Sequence, residues 1–248
     1  MFVHLRLHSE FSVVDSTVRI DEAVATAAQH QQPALALSDL NNLFGAIKFY
    51  RAAHKAGVQP ILGAEIMVEG LAPTAKDRPL PRLLLLAQNQ QGYLNLCELL
   101  TRGWLAVGNN PQATVQWAWL QELNEGLIVL SGAQAGPLGA ALLAGDSKQA
   151  HALALQCMQA FPNRFYLELQ RAGRPNDEPY IAAVMPLAQS LQLPVVATHP
   201  IQFLHPEGFE AHEARICIAE GEVLGNQRRA RRFSHQQYFL STQQMQAL

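Results

Sequence analysis

Residues 1–15, MFVHLRLHSEFSVVD, decide how the rest of this chain is read. Phe2, Val3, Leu5 and Leu7 form an apolar run of β type that alternates with polar residues. It delivers His8, followed by Ser9, Glu10, Ser12 and Asp15. Histidines one residue apart at a strand end, with another ligand in the next turn, suit a divalent metal cluster in which neutral imidazoles and carboxylates converge. The position two before His8 is Arg6, a permanent cation that cannot ligate a metal. The stretch has the layout of a metal site with one ligand removed.

The surrounding chain has the composition of a large buried core. Of 248 residues 49% are hydrophobic and 15% charged, which excludes a disordered or solvating chain, and one large α/β domain accommodates this length. A net charge of −2 provides no global attraction to nucleic acid or membrane. Cys97, Cys157 and Cys217 lie far apart without a CxxC pair and read as buried thiols in a reducing compartment. No apolar run approaches the ~18 residues of a membrane span, and the N-terminus lacks a signal-peptide layout. A cytoplasmic location is expected.

Apolar runs of strand type at 2–7, 34–38, 60–68, 83–87, 127–131, 165–169 and 194–198 alternate with helical periodicity at 20–30, 43–56, 93–104, 150–161, 178–191 and 209–219. Such an order predicts a mostly parallel sheet covered by helices, with enough units for a seven-stranded barrel. Residues 69–81 and 107–114 read as exposed loops. Ser241-Thr242 reads as a helix cap, with Met245 and Leu248 beginning an apolar face. A helix cut so short is marginal, which predicts that the chain is the N-terminal part of something longer.

Barrel active sites form where strands end. The strand ends here carry Arg6, His8 and Asp15; Ser38-Asp39-Leu40-Asn41-Asn42; Glu65; Ser131-Gly132-Ala133; Gln170-Arg171; and His199-Pro200-Ile201-Gln202. Together FVHLRLHSEFSVVD, PALALSDLNNLFGAIKFY, AGVQPILGAEI, NEGLIVLSG, RFYLELQRAGRP and LPVVATHPIQF resemble the PHP (polymerase and histidinol phosphatase) domain. They are most similar to the PHP domains that open the α subunits of bacterial DNA polymerase III. The resemblance runs over essentially the whole chain in the family's order. It implies a distorted (β/α)7 barrel over residues 1–225, with 226–248 beginning the connection to a polymerase core.

Metal-binding members of the family hold up to three divalent ions. On their pattern His8, Asp15 and Glu65 retain ligand chemistry. Arg6 and Arg82 stand where histidines are expected, Leu40 where a TDHG-like motif has His, and Ala133 where a Cys follows LSG. Pro200 and Gln202 stand where an Asp-x-His pair closes the set. Two guanidinium groups oppose a cation by a few kcal/mol at an effective dielectric of ~20. The expectation is a degenerate site with no catalytic residue and no cofactor in this segment, where Arg6 and Arg82 pair with Asp15, Asp39 or Glu65.

The resemblance further implies a non-catalytic scaffold whose partners are the polymerase core in cis and the proofreading exonuclease subunit. DNA is met mainly through the rest of the parent chain, which synthesises DNA with Mg2+; no membrane is involved. The rivals are an active metal-dependent PHP phosphoesterase or 3′–5′ exonuclease, and a stand-alone binding module. Other features have plainer readings. His199 precedes Pro200, as an extended turn residue does. His4 and Asp39 are structural, and His205, His212 and His235 belong to the surface or to helix packing. Asp15 and Glu65 lack the aromatic platform of a glycosidase, and Ser12 and Ser131 lack a nucleophile elbow. Arg228, Arg229, Arg231 and Arg232 are candidates for a DNA backbone, an adjoining acidic domain or plain solvation.

Overall fold

The Ser38 hydroxyl accepts the Leu7 amide at 3.0 Å, and that bond changes the expected first strand. In this computed structural model, which describes residues 2–72, 80–107, 112–226 and 228–248, residues 2–7 make only isolated bridges, His4 to Leu35 and Leu7 to Ile201. A side chain that takes a ladder donor competes with the sheet, so the pairing does not propagate. Most of the 69–81 and 107–114 loops, and Gln227 of the arginine run, lie outside the described residues.

The strands are β1 (Ala34–Leu37), β2 (Gln59–Glu69), β3 (Arg82–Ala87), β4 (Val115–Gln116), β5 (Leu127–Leu130), β6 (Phe165–Leu169) and β7 (Val195–Ala197). The helices are α1 (Ile20–Gln29), α2 (Ala46–Ala56), α3 (Gln90–Leu105), α4 (Trp117–Glu122), α5 (Pro137–Leu143), α6 (Ser147–Ala160), α7 (Asp177–Leu191), α8 (Phe209–Glu220) and α9 (Thr242–Gln246). The α/β class is as the apolar periodicity indicates. The short β4, α4 and α5 are additions that periodicity over a few residues does not reveal.

Two compact units divide the chain. One holds residues 1–62, 171–175 and 198–248; the other holds 63–170 and 176–197. In the first, β1 pairs in parallel with the opening residues of β2. Helix α1 buries Ile20, Ala23, Val24 and Ala27, the i, i+3, i+4, i+7 stripe of an amphipathic helix, into a core shared with Leu7, Leu35, Phe49 and Ile201. Helix α2 stops at Gly57, whose φ of 72° permits the left-handed turn in which Val58 donates to Ala53. Phe239 joins this core and Leu240 is also buried, so residues past 226, expected to begin a connection, contribute to the first unit.

In the second unit β3 runs antiparallel to both β2 and β5, while β5, β6 and β7 are parallel. No helix intervenes among the described residues between β2 and β3, so the chain returns in the opposite direction. Leu83, Leu84, Leu85, Leu96, Leu99, Leu127 and Val129 are fully buried in this unit. Asn89 accepts from Gly92 and starts α3 at Gln90, three residues ahead of the expected start.

Candidate metal centre

Two clusters hold the strand-end residues, one in each unit. In the first, Ser9 caps a single 3-10 turn (Glu10–Ser12), and this turn fixes the side chains around it. His8 Nδ1 lies 2.9 Å from Asp15 Oδ1, with both residues almost wholly buried. The carbonyl of Asp15 accepts from His212 Nε2 on α8 at 3.1 Å. Arg6 is 5% exposed and has polar or electrostatic contacts of its own.

Asp39, fully buried at the end of β1, accepts from the Ser9 amide at 2.6 Å and from the Ser9 and Ser12 hydroxyls at 2.8 Å each. Ser12 Oγ in turn accepts the Leu40 amide at 3.1 Å. Burial raises the Asp39 carboxyl above its usual range, against the opposing pull of those donors and of His8. Of the three carboxylates named as possible arginine partners, Asp39 is held by hydroxyl and amide donors. Small donors reach a buried carboxylate without bringing a second charge to desolvate.

In the second unit Glu65, 2% exposed on β2, accepts from Arg82 Nη1 on β3 at 3.1 Å. The guanidinium expected to stand in for a metal is thus bonded to one of the three candidate ligands. Ala133 is buried with φ 48° in the turn after β5. Its neighbour Gly132 donates to Glu168 Oε2 at 3.1 Å, and Gln170 donates to Glu168 Oε1 at 2.8 Å. The buried Glu168 clamp escaped the sequence reading, although alternation along β6 puts Glu168 and Gln170 on one face.

The other positions at which the resemblance leads to an expectation of ligands serve packing and backbone bonding. Leu40 is buried. Pro200 and Gln202 offer carbonyls to Gln237 Nε2 and to the Thr17 amide. His199 Nε2 donates to the Gln236 carbonyl and His4 Nε2 to that of Leu240, both at 2.8 Å. His212, expected only at the surface or in packing, is fully buried. Cys157 and Cys217 are buried as expected, and burial pushes the Cys157 thiol up to about 12; Cys97 is half-buried.

The arginine run splits. Arg229, with 3% of its side chain exposed, pairs with buried Glu213, and Arg232 pairs with Glu220, while Arg228 and Arg231 are exposed. The Arg229 charge is spent internally, a pairing the sequence reading did not foresee.

Among the described residues no three His, Cys, Asp or Glu side chains group in a way that could hold a metal. Of the residual ligands, Asp15 is bonded to His8 and Glu65 to a guanidinium. A structural site needs about four converging donors.

The family model of the PHP domain matches residues 4–172. Over 247 residues the chain is 44% identical to the DNA polymerase III subunit alpha of Pseudomonas fluorescens and 46% identical to that of Pseudomonas aeruginosa. It is 41% identical over 248 residues to that of Escherichia coli K12. Each alignment covers 98–100% of this chain and 21% of the relative, so the chain spans about a fifth of the length of the curated relatives it matches. Among solved structures, an amidohydrolase from Chromobacterium violaceum with bound sulfate and no metal superposes with a TM-score of 0.53 at 14% identity, covering 86% of this chain and 96% of that one. A protein provisionally assigned as a metal-dependent phosphoesterase, from Bifidobacterium adolescentis, gives 0.51 at 12% identity, covering 80% and 86%. At those identities the likeness concerns the fold alone.

Proposed function

The chain belongs to the PHP family, and from that premise we propose that it is the N-terminal, non-catalytic scaffold domain of a bacterial replicative DNA polymerase α subunit. Identities of 41–46% to such subunits across nearly the whole chain support the assignment. In this reading the parent polypeptide synthesises DNA with Mg2+ in a core outside the present chain. The domain braces that core in cis and docks the proofreading exonuclease subunit, in the cytoplasm. No helix among the described residues is long and apolar enough to cross a membrane, which agrees with this setting.

The observation that carries the scaffold reading is the Arg82–Glu65 pair. A phosphoesterase of this family uses its carboxylates and imidazoles to hold metal ions that polarise the phosphoryl group and activate water. Here a residual ligand is neutralised by an arginine from the neighbouring strand, and Arg6 occupies a second ligand position. In this reading the protein itself supplies the charge that metal supplies in the metal-binding members.

Elemental analysis of the purified protein, dialysed after incubation with Mn2+ or Zn2+, tests this. Below about one-tenth of an equivalent is the expected result for a site short of donors. One or more tightly held equivalents would overturn the scaffold reading in favour of a metal-dependent phosphoesterase or 3′–5′ exonuclease.

A further inference from the structure

Helix α2 presents a surface that its own fold does not explain. Its sequence, AIKFYRAAHKA, contains Lys48, Arg51 and Lys55 and no acid. Helix-dipole stabilisation accounts for His54 and Lys55 in the last turn. It does not account for Arg51, nor for the exposed residues beside it. On α2, Ile47 is 60% exposed and Tyr50 48%, three residues apart and therefore neighbours on one ridge of the helix, and Phe44 in the turn that leads into it is 65% exposed. Single exposed apolar residues are ordinary, but a contiguous ridge marks an interaction surface.

Beside the ridge lies a groove of about 440 Å3 lined by Asp21, Ile47, Lys48, Arg51, Ala52 and Lys55. Lys48 is engaged by Asp21 at 3.2 Å and by Glu10 at 3.6 Å. Among the described residues no carboxylate pairs with Arg51 or Lys55. The groove therefore carries a net positive rim around an aliphatic centre, in a chain whose overall charge is negative.

We propose that this face of α2 docks an acidic protein segment, with apolar anchors covering Phe44, Ile47 and Tyr50 and carboxylates meeting Arg51 and Lys55. The proposal rests on the scaffold reading and adds to it the site and the chemistry of a partner. Charge complementarity selects the acid, and the ridge supplies the desolvated centre that dominates affinity. A nucleic acid fits less well. Base stacking favours a groove floored by aromatic platforms, whereas this groove is lined by Ile47 and Ala52 between charged side chains, and Tyr50 meets His54 edge-on with ring centroids 4.3 Å apart.

The test uses fluorescein-labelled 15-residue peptides with Leu or Phe at i, i+3 and i+7 and Glu at the remaining positions, read by fluorescence anisotropy. A matched set carries Lys in place of Glu. The acidic peptides are expected to bind, and Ile47→Ser or the pair Arg51→Glu with Lys55→Glu to weaken them at least tenfold with unchanged far-UV circular dichroism. The charge-reversed variant is expected to bind the Lys peptides instead, which a merely structural role would not produce. Failure of every acidic peptide, or equal binding to the variants, overturns the proposal. So does binding of a single-stranded oligonucleotide that the same variants abolish, or concentration-dependent self-association lost in Ile47→Ser. Metal content is untouched by these substitutions, so failure here is distinguishable from failure of the scaffold reading.

Discussion

Arg82 and Glu65 meet diagonally across an antiparallel pair: Glu65 stands opposite Leu84 and Arg82 opposite Met67, and the side chains join at 3.1 Å. Residues two apart on neighbouring strands share a face, so the ladder register brings the guanidinium to the carboxylate. Glu65 has 3% of its side chain exposed and Arg82 26%, which makes this a pair with one deeply desolvated partner.

Truncation should expose that asymmetry. Arg82→Ala removes the guanidinium bonded to a buried carboxylate and is expected to cost about 2–3 kcal/mol, below the full value for buried pairs because Arg82 is partly solvated. Replacing both residues, as Glu65→Leu with Arg82→Met, should fall within about 1 kcal/mol of wild type. Urea unfolding of the two variants measures both values.

Acid should loosen the first unit. Burial holds His4 and His199 at about 4, against the pull of their carbonyl partners, with His30 repelling His4 and His4 repelling His199. Burial lowers His212 as well. Folded values below unfolded ones mean that the unfolded chain binds more protons between pH 6.5 and 4. Stability is then fully present above about pH 6.5 and declines as pH falls toward 4, by on the order of 3 kcal/mol per imidazole at most. Denaturation midpoints from pH 7.5 to 4.5 record the decline, and His199→Gln should make it shallower.

The serine clamp on Asp39 has a separate signature. Ser12→Ala removes one donor to a buried carboxylate and the acceptor of the Leu40 amide, a loss of about 1–3 kcal/mol. Ser12→Thr retains the hydroxyl and should recover part of it. Thermal unfolding of the pair separates the lost bonds from the lost volume.

Close backbone approach governs the packing of α3. A Cβ at Gly92 would stand 1.8 Å from the Gly126 carbonyl oxygen, a clash between two backbones that no side-chain rotation relieves. Gly92→Ala is expected to cost about 3 kcal/mol, at the upper end for overpacking. Gly145→Ala serves as a comparison: with φ +79° and nothing within 4 Å it tests backbone strain alone.

Much of the architecture follows from local pattern. The i, i+3, i+4, i+7 stripe of α1, the all-apolar LLLL of β3 and the Ser241 cap of α9 each depend on neighbours within one or two turns. The absent first strand is different, because it turns on a Ser38 hydroxyl thirty-one residues away that takes the Leu7 amide. The reversal of β3 is likewise not written in its apolar run, which reads the same in either direction.

For the site, the sequence by itself determined that Arg6, Leu40, Arg82, Ala133, Pro200 and Gln202 bring no imidazole, thiol or carboxylate donor wherever they fold. It also determined that His8, Asp15 and Glu65 remain able to accept a charge partner. Only the tertiary structure decided which partner each received: His8 for Asp15, Arg82 for Glu65, and the Ser9 and Ser12 hydroxyls for Asp39. The physical reason is that ionisation and ligand chemistry belong to a residue type, whereas a hydrogen bond exists only within about 3 Å and a narrow range of angles. Strand register and a single 3-10 turn set those positions.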